Sequence, residues 1–335
     1  MGEGRAGELE ERQLGPKGPS VTRLGLGLAA LGRPAYINLG HGEDFPEGRT
    51  VEAMEAHCAR MLDRAFAAGI RYFDAARSYG LAEQFLRRWI DRRGVRPDQM
   101  VVGSKWGYRY TGDWQVDGRV QEVKDHSEAM LNAQLAESTS ILGPYLRLYQ
   151  IHSATPQSSV LDDAKVLERL RAMRAGGLLI GVTASGSAQS ETIHRALELR
   201  CDPQPLFSAV QATWNLLERN AESALREAHQ AGITVLIKEP LANGLLTSSG
   251  ELGRSGQLRN AADRLRVSPD VIALAFVLRQ PWADVVLLGA STEAQLESNL
   301  RALELPLNAD QVQLLDSMRE PSERYWSRRA GLAWT

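Results

Sequence analysis

Residues 51–93, with the sequence VEAMEAHCARMLDRAFAAGIRYFDAARSYGLAEQFLRRWIDRR, are the stretch on which the fold prediction depends. Apolar residues at helical spacing predict a helix over 51–68, and Gly69 is the glycine that commonly follows a helix C-terminus. The short apolar run at 72–75 predicts a strand, and the amphipathic pattern at 82–93 predicts a second helix. The stretch therefore predicts the strand–helix units of a parallel α/β protein.

The same alternation continues on both sides of this unit. Short β-rich runs lie at 24–30, 101–106, 146–152, 179–184, 209–213, 234–238 and 285–289, and helical stretches lie at 127–142, 162–175, 188–199, 221–231 and 269–279. Eight strands alternating with helices favour a closed (β/α)8 TIM barrel over an open doubly wound sheet. Because no Pro/Ser-rich linker divides the chain, we predict one barrel domain over 12–335, preceded by a disordered arm at 1–11.

Composition and charge narrow the class of partner. The net charge of −2 gives no electrostatic reason to expect nucleic acid or an anionic membrane as the main partner. The longest apolar run, 271–278, is far shorter than the roughly 20 residues of a membrane-spanning helix, and the first twelve residues contain no apolar signal segment. Two cysteines, Cys58 and Cys201, predict neither a disulfide framework nor a metal site. We expect a cytoplasmic protein that acts on a small molecule, with its oligomeric state left open.

Four polar side chains are predicted to meet at one end of the barrel. The chemistry of such barrels lies at the C-terminal ends of the strands, where Asp74, Tyr79, Lys105 and His152 follow or end three successive strands. An ammonium beside a phenol favours the phenolate, an imidazole can orient the same oxygen, and a carboxylate balances the lysine. Each residue alone has an ordinary structural explanation, but together they predict a proton donor for a carbonyl oxygen, with a cofactor supplying hydride.

Several segments resemble the aldo-keto reductase superfamily. Residues 73–83 (FDAARSYGLAE) resemble its tyrosine signature, 103–107 (GSKWG) its lysine strand and 148–152 (LYQIH) its histidine strand, while 13–27 are similar to its N-terminal hairpin. The resemblance extends from about residue 12 to about residue 318. It implies a (β/α)8 barrel whose floor is closed by the hairpin, with long loops and the C-terminal tail over the mouth. It also implies Tyr79 as general acid/base, tuned by Lys105, Asp74 and His152.

The resemblance implies a nicotinamide cofactor held in extended form without a Rossmann fold. Residues 289–300 match the family's C-terminal cofactor segment, with Ser291 and Gln295 near the adenosine phosphate and Asn299 near adenine. Gln211 matches the glutamine that bonds the carboxamide, and 241–247 resemble the pyrophosphate loop. The predicted cofactor residues are Thr183, Gln211, Lys238, Pro240, Leu241, Asn243, Gly244, Gly289, Ser291, Gln295 and Asn299.

Two positions depart from the family's pattern. Its Ser-Asn pair after the fifth strand is Thr183-Ala184 here, which removes one carboxamide contact. Its ring-stacking tyrosine corresponds to Lys238, whose stem is able to cover the ring while the charge meets Glu239 or a phosphate. The residue after Ser291 is neutral Thr292, which leaves the extra phosphate of NADP to Arg254, Arg264 or Lys238. Members of the family commonly use NADP, so the resemblance favours NADP (NADPH), with NAD possible.

Aromatic side chains in the long loops are the predicted substrate pocket: Tyr36, Trp106, Tyr108 and Trp114. Aromatic walls suit an apolar or flat substrate. The predicted function is an NAD(P)H-dependent carbonyl reductase that transfers hydride to an aldehyde or ketone, or oxidises an alcohol in reverse. Two alternatives stay open: a non-catalytic cofactor-binding regulatory subunit of the same fold, and a Schiff-base lyase with Lys238 or Lys105 as nucleophile.

Overall fold

A short antiparallel hairpin precedes the barrel in the computed structural model, which describes residues 9–117, 120–201 and 203–335. Strand β1 (Glu11–Gln13) pairs with β2 (Ser20–Thr22). Leu14 and Val21 pack against inward-facing residues such as Tyr72, Val101 and Val285, near the N-terminal ends of barrel strands, so the hairpin closes the barrel floor as predicted. Residues 1–8 of the predicted arm lie outside the described residues.

Eight parallel strands form the closed barrel, which confirms the predicted fold. The strands after the hairpin are β3 (Leu24–Gly27), β4 (Tyr72–Asp74), β5 (Val101–Trp106), β6 (Tyr108–Tyr110), β7 (Glu122–Lys124), β8 (Leu146–Ala154), β9 (Leu179–Ala184), β10 (Arg200–Cys201), β11 (Gln204–Pro205), β12 (Ala209–Thr213), β13 (Thr234–Lys238) and β14 (Val285–Leu288). The barrel order is β12–β13–β14–β3–β4–β5–β8–β9. Nearly every barrel-strand residue is buried, because helices cover the outside and side chains fill the inside.

Helices follow the strands around the outside of the barrel. They are α1 (Val51–Ala67), α2 (Ala82–Arg93), α3 (Glu128–Leu142), α4 (Ala164–Ala175), α5 (Gln189–Glu198), α6 (Glu222–Gln230), α7 (Glu251–Arg254), α8 (Gly256–Leu265), α9 (Pro269–Leu278), α10 (Glu293–Leu300), α11 (Ala309–Asp316) and α12 (Ser322–Ala330). Side-chain caps begin several of them: the oxygens of Thr50, Ser127 and Thr292 accept backbone N–H bonds at the first turns of α1, α3 and α10.

The loops at the C-terminal ends of the strands form the barrel mouth. Antiparallel strands β6 and β7 form a hairpin there, with Tyr108 opposite Lys124. The last residue, Thr335, exchanges two backbone hydrogen bonds with Tyr36 in the loop after β3, at 3.1 and 3.2 Å. The tail thus lies across the mouth beside that loop. Within the described ranges, every helix is too short or too polar to cross a membrane.

Candidate active site

A cavity of about 780 Å³ opens at the C-terminal ends of the barrel strands. Its volume is within the range of about 300–1,000 Å³ typical of small-molecule sites. Most residues predicted as a site line this one cavity: Tyr36, Asp74, Tyr79, Tyr108, His152, Thr183, Gln211, Lys238, Pro240, Leu241, Asn243, Gly244, Gly289, Gln295 and Asn299. The sequence-predicted residues thus come from nearly all barrel strands to one space.

Lys105, Ser291, Trp106 and Trp114 do not form part of the cavity wall. Lys105 lies directly behind Tyr79. Trp106 is fully buried and packs edge-on against His126, so it belongs to the barrel's packing rather than to the predicted substrate pocket. Trp114 donates from Nε1 to the backbone oxygen of Arg49 at 2.7 Å, and thereby fixes its loop to the mouth. Of the four predicted pocket residues, Tyr36 and Tyr108 therefore line the cavity, and the two tryptophans lie outside its wall.

Lys105 joins three groups at the ends of β4 and β5. Its ammonium forms an ion pair with the Asp74 carboxylate and donates to the Ala75 backbone oxygen at 2.9 Å and to the Tyr79 hydroxyl at 3.4 Å. Lys105 is 1% exposed and Asp74 is 2% exposed. All three protons of the ammonium therefore have acceptors, as burial of such a group requires.

The pKa of Tyr79 differs from the prediction. From the sequence, the neighbouring ammonium is predicted to favour the phenolate. Instead, burial and the charge of Asp74 raise the pKa of Tyr79 well above its usual value, with the Arg33 guanidinium opposing them. Desolvation outweighs the attraction of nearby cations here, so Tyr79 holds its proton at neutral pH.

His152 packs beside Tyr79 as a neutral imidazole. The two ring centroids are 5.5 Å apart and nearly perpendicular, and Nδ1 of His152 lies 3.4 Å from the Ser78 hydroxyl. Burial lowers the pKa of His152 well below its usual value, and the charges of Lys105 and Arg33 lower it further. A neutral imidazole is able to donate one hydrogen bond and accept another.

Sequence reasoning missed two residues behind Asp74. The Tyr72 hydroxyl and the Gln150 amide each donate to Asp74 Oδ1 at 3.2 Å, and the Gln211 amide lies 3.4 Å from both carboxylate oxygens. Residues 72 and 74, like 150 and 152, share one face of a strand because side chains alternate. That period of two was the signal that could have identified them.

Arg33 is a further residue without a sequence signal. It is buried in the loop after β3 and donates to Glu122 at 2.8 Å and to the Ser78 backbone oxygen at 3.0 Å. Its guanidinium carbon lies 5.2 Å from the ring centroid of Tyr79 and 4.7 Å from that of Trp334. Arg33 therefore connects the β6–β7 hairpin, the tail and the tyrosine.

Lys238, at the stacking-tyrosine position, directs its charge toward the end of β13. Its ammonium donates to Thr213 and Ser185 hydroxyls at 3.0 and 3.1 Å and lies 3.9 Å from Glu239. Of the two placements left open by the sequence, the charge meets Glu239. Burial lowers the pKa of Lys238 to about 8, partly offset by Glu239, so the side chain is mostly protonated at pH 7.

The far end of the cavity contains the segment around α10. Gln295 donates to Asp44 Oδ1 at 3.0 Å, and the fully buried Ser291 hydroxyl donates to the same carboxylate. Asn299 donates to Asp270 at 2.9 Å. Ser291 therefore lies behind the wall, where its backbone N–H donates to the Gln295 side chain at 2.9 Å and positions it.

The cavity wall fits an extended dinucleotide. Its predicted cofactor residues run from Gln211 near Asp74 to Asn299 on α10. The buried Oδ1 of Asn243 has no hydrogen-bond partner among the described residues, and buried acceptors are normally satisfied. A ribose hydroxyl would supply the missing donor. Gly289 leaves open space where a side chain would project, so backbone is accessible to a ligand there.

Comparisons with known proteins agree with this architecture. Protein tas of Escherichia coli strain K12 is 27% identical over 323 residues, covering 79% of this chain and 90% of that protein. L-glyceraldehyde 3-phosphate reductase of the same strain is 26% identical, covering 89% of each. The structure of aldo-keto reductase AKR11C1 from Bacillus halodurans, in its holo form, has the same fold with a TM-score of 0.67, 22% identity, and coverage of 94% of this chain and 97% of that one.

The family model that matches this sequence is described as the aldo/keto reductase family, and the match spans residues 23–320. That span includes all eight barrel strands, from β3 to β14, and the residues around Tyr79. The chain belongs to the aldo/keto reductase family of oxidoreductases.

Proposed function

We propose that this protein reduces the carbonyl group of a small aldehyde or ketone with a nicotinamide cofactor, and oxidises the corresponding alcohol in reverse. The observation that carries the proposal is the hydrogen-bonded line from Asp74 through Lys105 to the Tyr79 hydroxyl, beside His152 at the wall of one cavity. One relative's name, L-glyceraldehyde 3-phosphate reductase, gives an aldehyde as that protein's substrate.

Tyr79 is the proposed general acid. Burial keeps it protonated, so it holds a proton for the carbonyl oxygen as the carbon receives hydride. The Lys105 ammonium, 3.4 Å from the phenol oxygen, stabilises the phenolate left after the transfer. Asp74 holds Lys105 in position, and neutral His152 would donate a hydrogen bond to the same carbonyl oxygen. Solvent then returns a proton to Tyr79.

The proposed cofactor, NADPH or NADH, supplies the hydride when bound. Gln211 and Thr183 would hold the carboxamide, with the Lys238 stem beside the ring. Asn243, Gly244, Pro240 and Leu241 would hold the pyrophosphate and its ribose, and Gly289, Gln295 and Asn299 the adenosine. Ser291 would act by positioning Gln295.

The hydrogen bonds of the two lysines favour hydride transfer over a Schiff-base reaction. A nucleophilic lysine must be neutral with a free lone pair. Lys105 donates to three acceptors, and Lys238 donates to two hydroxyls beside Glu239. In both arrangements the side-chain nitrogen is engaged in hydrogen bonds, so neither lysine presents a free lone pair to a carbonyl carbon.

Tyr79→Phe is the test of this function. We expect kcat/KM for carbonyl reduction to fall by about 10²–10⁴ because the proton donor is lost, while the affinity for cofactor stays near that of the wild type. Steady-state kinetics and quenching of tryptophan fluorescence by the cofactor measure the two quantities.

Tyr108→Phe is the matched control. Tyr108 also lines the cavity, with its ring 4.9 Å from His152, but Lys105 donates to Tyr79 instead. We expect Tyr108→Phe to lower kcat/KM by far less than Tyr79→Phe, because it changes a predicted substrate contact and leaves the proton donor in place. Retained turnover in Tyr79→Phe, or a parallel loss of cofactor binding, would assign Tyr79 a structural role and refute the proposal.

A further inference from the structure

An acidic side chain faces the adenosine end of the cavity. Asp44 ends a short 3-10 turn, His41–Asp44, in the loop after β3. Both of its carboxylate oxygens accept hydrogen bonds from the predicted adenosine segment, one from Ser291 and one from Gln295. These two side chains are the ones that the family resemblance places near the adenosine phosphate. In the structure, a carboxylate of the chain itself occupies their donors.

Among the described residues of the cavity wall, the basic side chains lie at the catalytic end, and the charged side chains at the adenosine end are acidic. Glu43, Asp44 and Asp270 are the charged wall residues that accompany the adenosine segment. The basic wall residues lie near Tyr79 and Glu239 instead: Arg33 is bound to Glu122, Lys124 to the Ser153 backbone oxygen, and Lys238 and Arg329 contact Glu239. Arg254 and Arg264, offered by the sequence as phosphate ligands, lie on α7 and α8 outside this wall.

Buried neighbours hold Asp44 in place. On either side of it, His41 and Phe45 are buried and their rings pack 4.9 Å apart. Phe45 packs against His57 on α1, whose Nε2 lies 2.5 Å from the Ser291 backbone oxygen. Upstream, the Leu39 N–H donates to the Asn243 backbone oxygen at 3.1 Å. Residues 38–45, which we call the strap, therefore join the predicted pyrophosphate loop to the start of α10.

We infer that Asp44 makes the adenosine end of this site selective for NADH over NADPH. The inference rests on the proposed function. The two cofactors differ only at the adenosine ribose, which has a 2′-hydroxyl in NADH and a doubly charged phosphate in NADPH. A carboxylate accepts a hydrogen bond from a hydroxyl but repels a phosphate, and dinucleotide sites commonly separate the two cofactors in this way. This selectivity is the opposite of the NADPH preference that the family resemblance implies.

The difference between the cofactors is measured without catalysis. Isothermal titration calorimetry compares the affinity for NADH with that for NADPH, and the affinity for ADP-ribose with that for its 2′-phosphorylated form. Because ADP-ribose lacks the nicotinamide ring, the second pair reports on the adenosine end without a contribution from Lys238. We expect the unphosphorylated member of each pair to bind at least about tenfold tighter to the wild type, since like charges in contact are strongly unfavourable. Added salt should narrow the difference by screening.

Asp44→Asn and Asp44→Ser test the residue, with Glu43→Gln as the matched control. Glu43 is an exposed acid next to Asp44 in the same wall, so its variant removes the same charge one residue away. We expect the Asp44 variants to reduce the preference for NADH by about tenfold and Glu43→Gln to change it by less than about threefold. Asp44→Asn combined with Thr292→Arg should invert the preference.

The outcomes separate this inference from the proposed function. Equal or tighter binding of NADPH by the wild type overturns the selectivity, as does an unchanged ratio in folded Asp44→Asn and Asp44→Ser. Either result leaves hydride transfer in place. Failure of the wild type to bind any of the four ligands at millimolar concentration would instead refute the proposed function itself, and the inference with it.

Discussion

Buried polar side chains at the mouth differ sharply in how well their hydrogen bonds are satisfied. The Asp74 carboxylate accepts from four side chains, Lys105, Tyr72, Gln150 and Gln211. His41 is fully buried in the strap, and neither of its ring nitrogens has a partner among the described residues. An unsatisfied buried polar group costs free energy, so the His41 imidazole lowers the free energy of unfolding.

His41 makes stability depend on pH. Burial lowers its pKa to about 3, and the charges of Arg49 and Arg33 add to the effect. Between pH 7 and pH 5 the unfolded chain binds a proton at its ordinary pKa near 6.5 while the folded chain does not, so the free energy of unfolding falls by about 2 kcal/mol. Below a pH of about 3 this contribution stops changing.

His41→Phe keeps the aromatic packing and removes the titrating group. We expect its free energy of unfolding, measured by urea denaturation, to fall by about 2 kcal/mol less than that of the wild type between pH 7 and pH 5. His194→Phe is the control, because this α5 side chain is half exposed. Identical pH dependence in His41→Phe and the wild type would contradict the assignment.

Helix α12 is linked to the end of β13 by the carboxylate of Glu239. Arg329 donates from Nε to both oxygens of Glu239 at 2.9 and 3.0 Å, and the buried Tyr325 hydroxyl lies 3.4 Å from the same group. Burial alone would raise the pKa of Glu239, but the cations of Arg329 and Lys238 hold it at about 2. The ion pair therefore keeps a buried charge compensated where the tail meets the barrel.

Arg329→Met should release α12 from the mouth. Removing one partner of a buried pair costs about 3–5 kcal/mol when the other charge is left unpaired, and we expect a cost at the lower end of that range because Lys238 still lies 3.9 Å from Glu239. We expect faster amide hydrogen exchange over 322–335, with the barrel strands unchanged. Arg324→Met on the same helix is the control, since its side chain is 74% exposed. Faster exchange in the strands as well would mean that α12 is part of the barrel's cooperative unit.

Local patterns explain which elements the sequence could predict. Strands and helices of the barrel were placed within about three residues, because periodicity and terminating glycines such as Gly69 are local signals. The β6–β7 hairpin was missed because its short strands pair across a loop. Site residues show the same division: Asp74 and Tyr79 follow a strand end, whereas Arg33–Glu122 and Ser291–Asp44 join residues 89 and 247 positions apart. Such contacts leave no local pattern.

The barrel has one end closed by a single hairpin and one end built from separate parts of the chain. The floor is sealed by the β1–β2 hairpin, whose Leu14 and Val21 belong to a fully apolar cluster inside the barrel. The mouth is covered by the strap, the β6–β7 hairpin, the loop after β13 and the tail. These segments meet through few backbone hydrogen bonds, such as the one between Leu39 and Asn243 and the two between Tyr36 and Thr335. A ligand in the cavity would therefore stabilise the mouth and leave the floor unaffected.

Cofactor binding should raise stability in a spatially uneven way. At a concentration of about 100 Kd, a ligand that binds only the folded state adds about 2.7 kcal/mol, which in a 335-residue chain raises Tm by about 4 °C. With NADH we expect slower hydrogen exchange in the strap, in 241–247 and at the start of α10, and no change in β1 and β2. Tyr79→Phe should show the same shift, because the proton donor adds little to binding. Protection spread evenly to the floor would contradict binding of the cofactor at the mouth. A Tm shift lost in Tyr79→Phe would mean that Tyr79 contributes to cofactor binding.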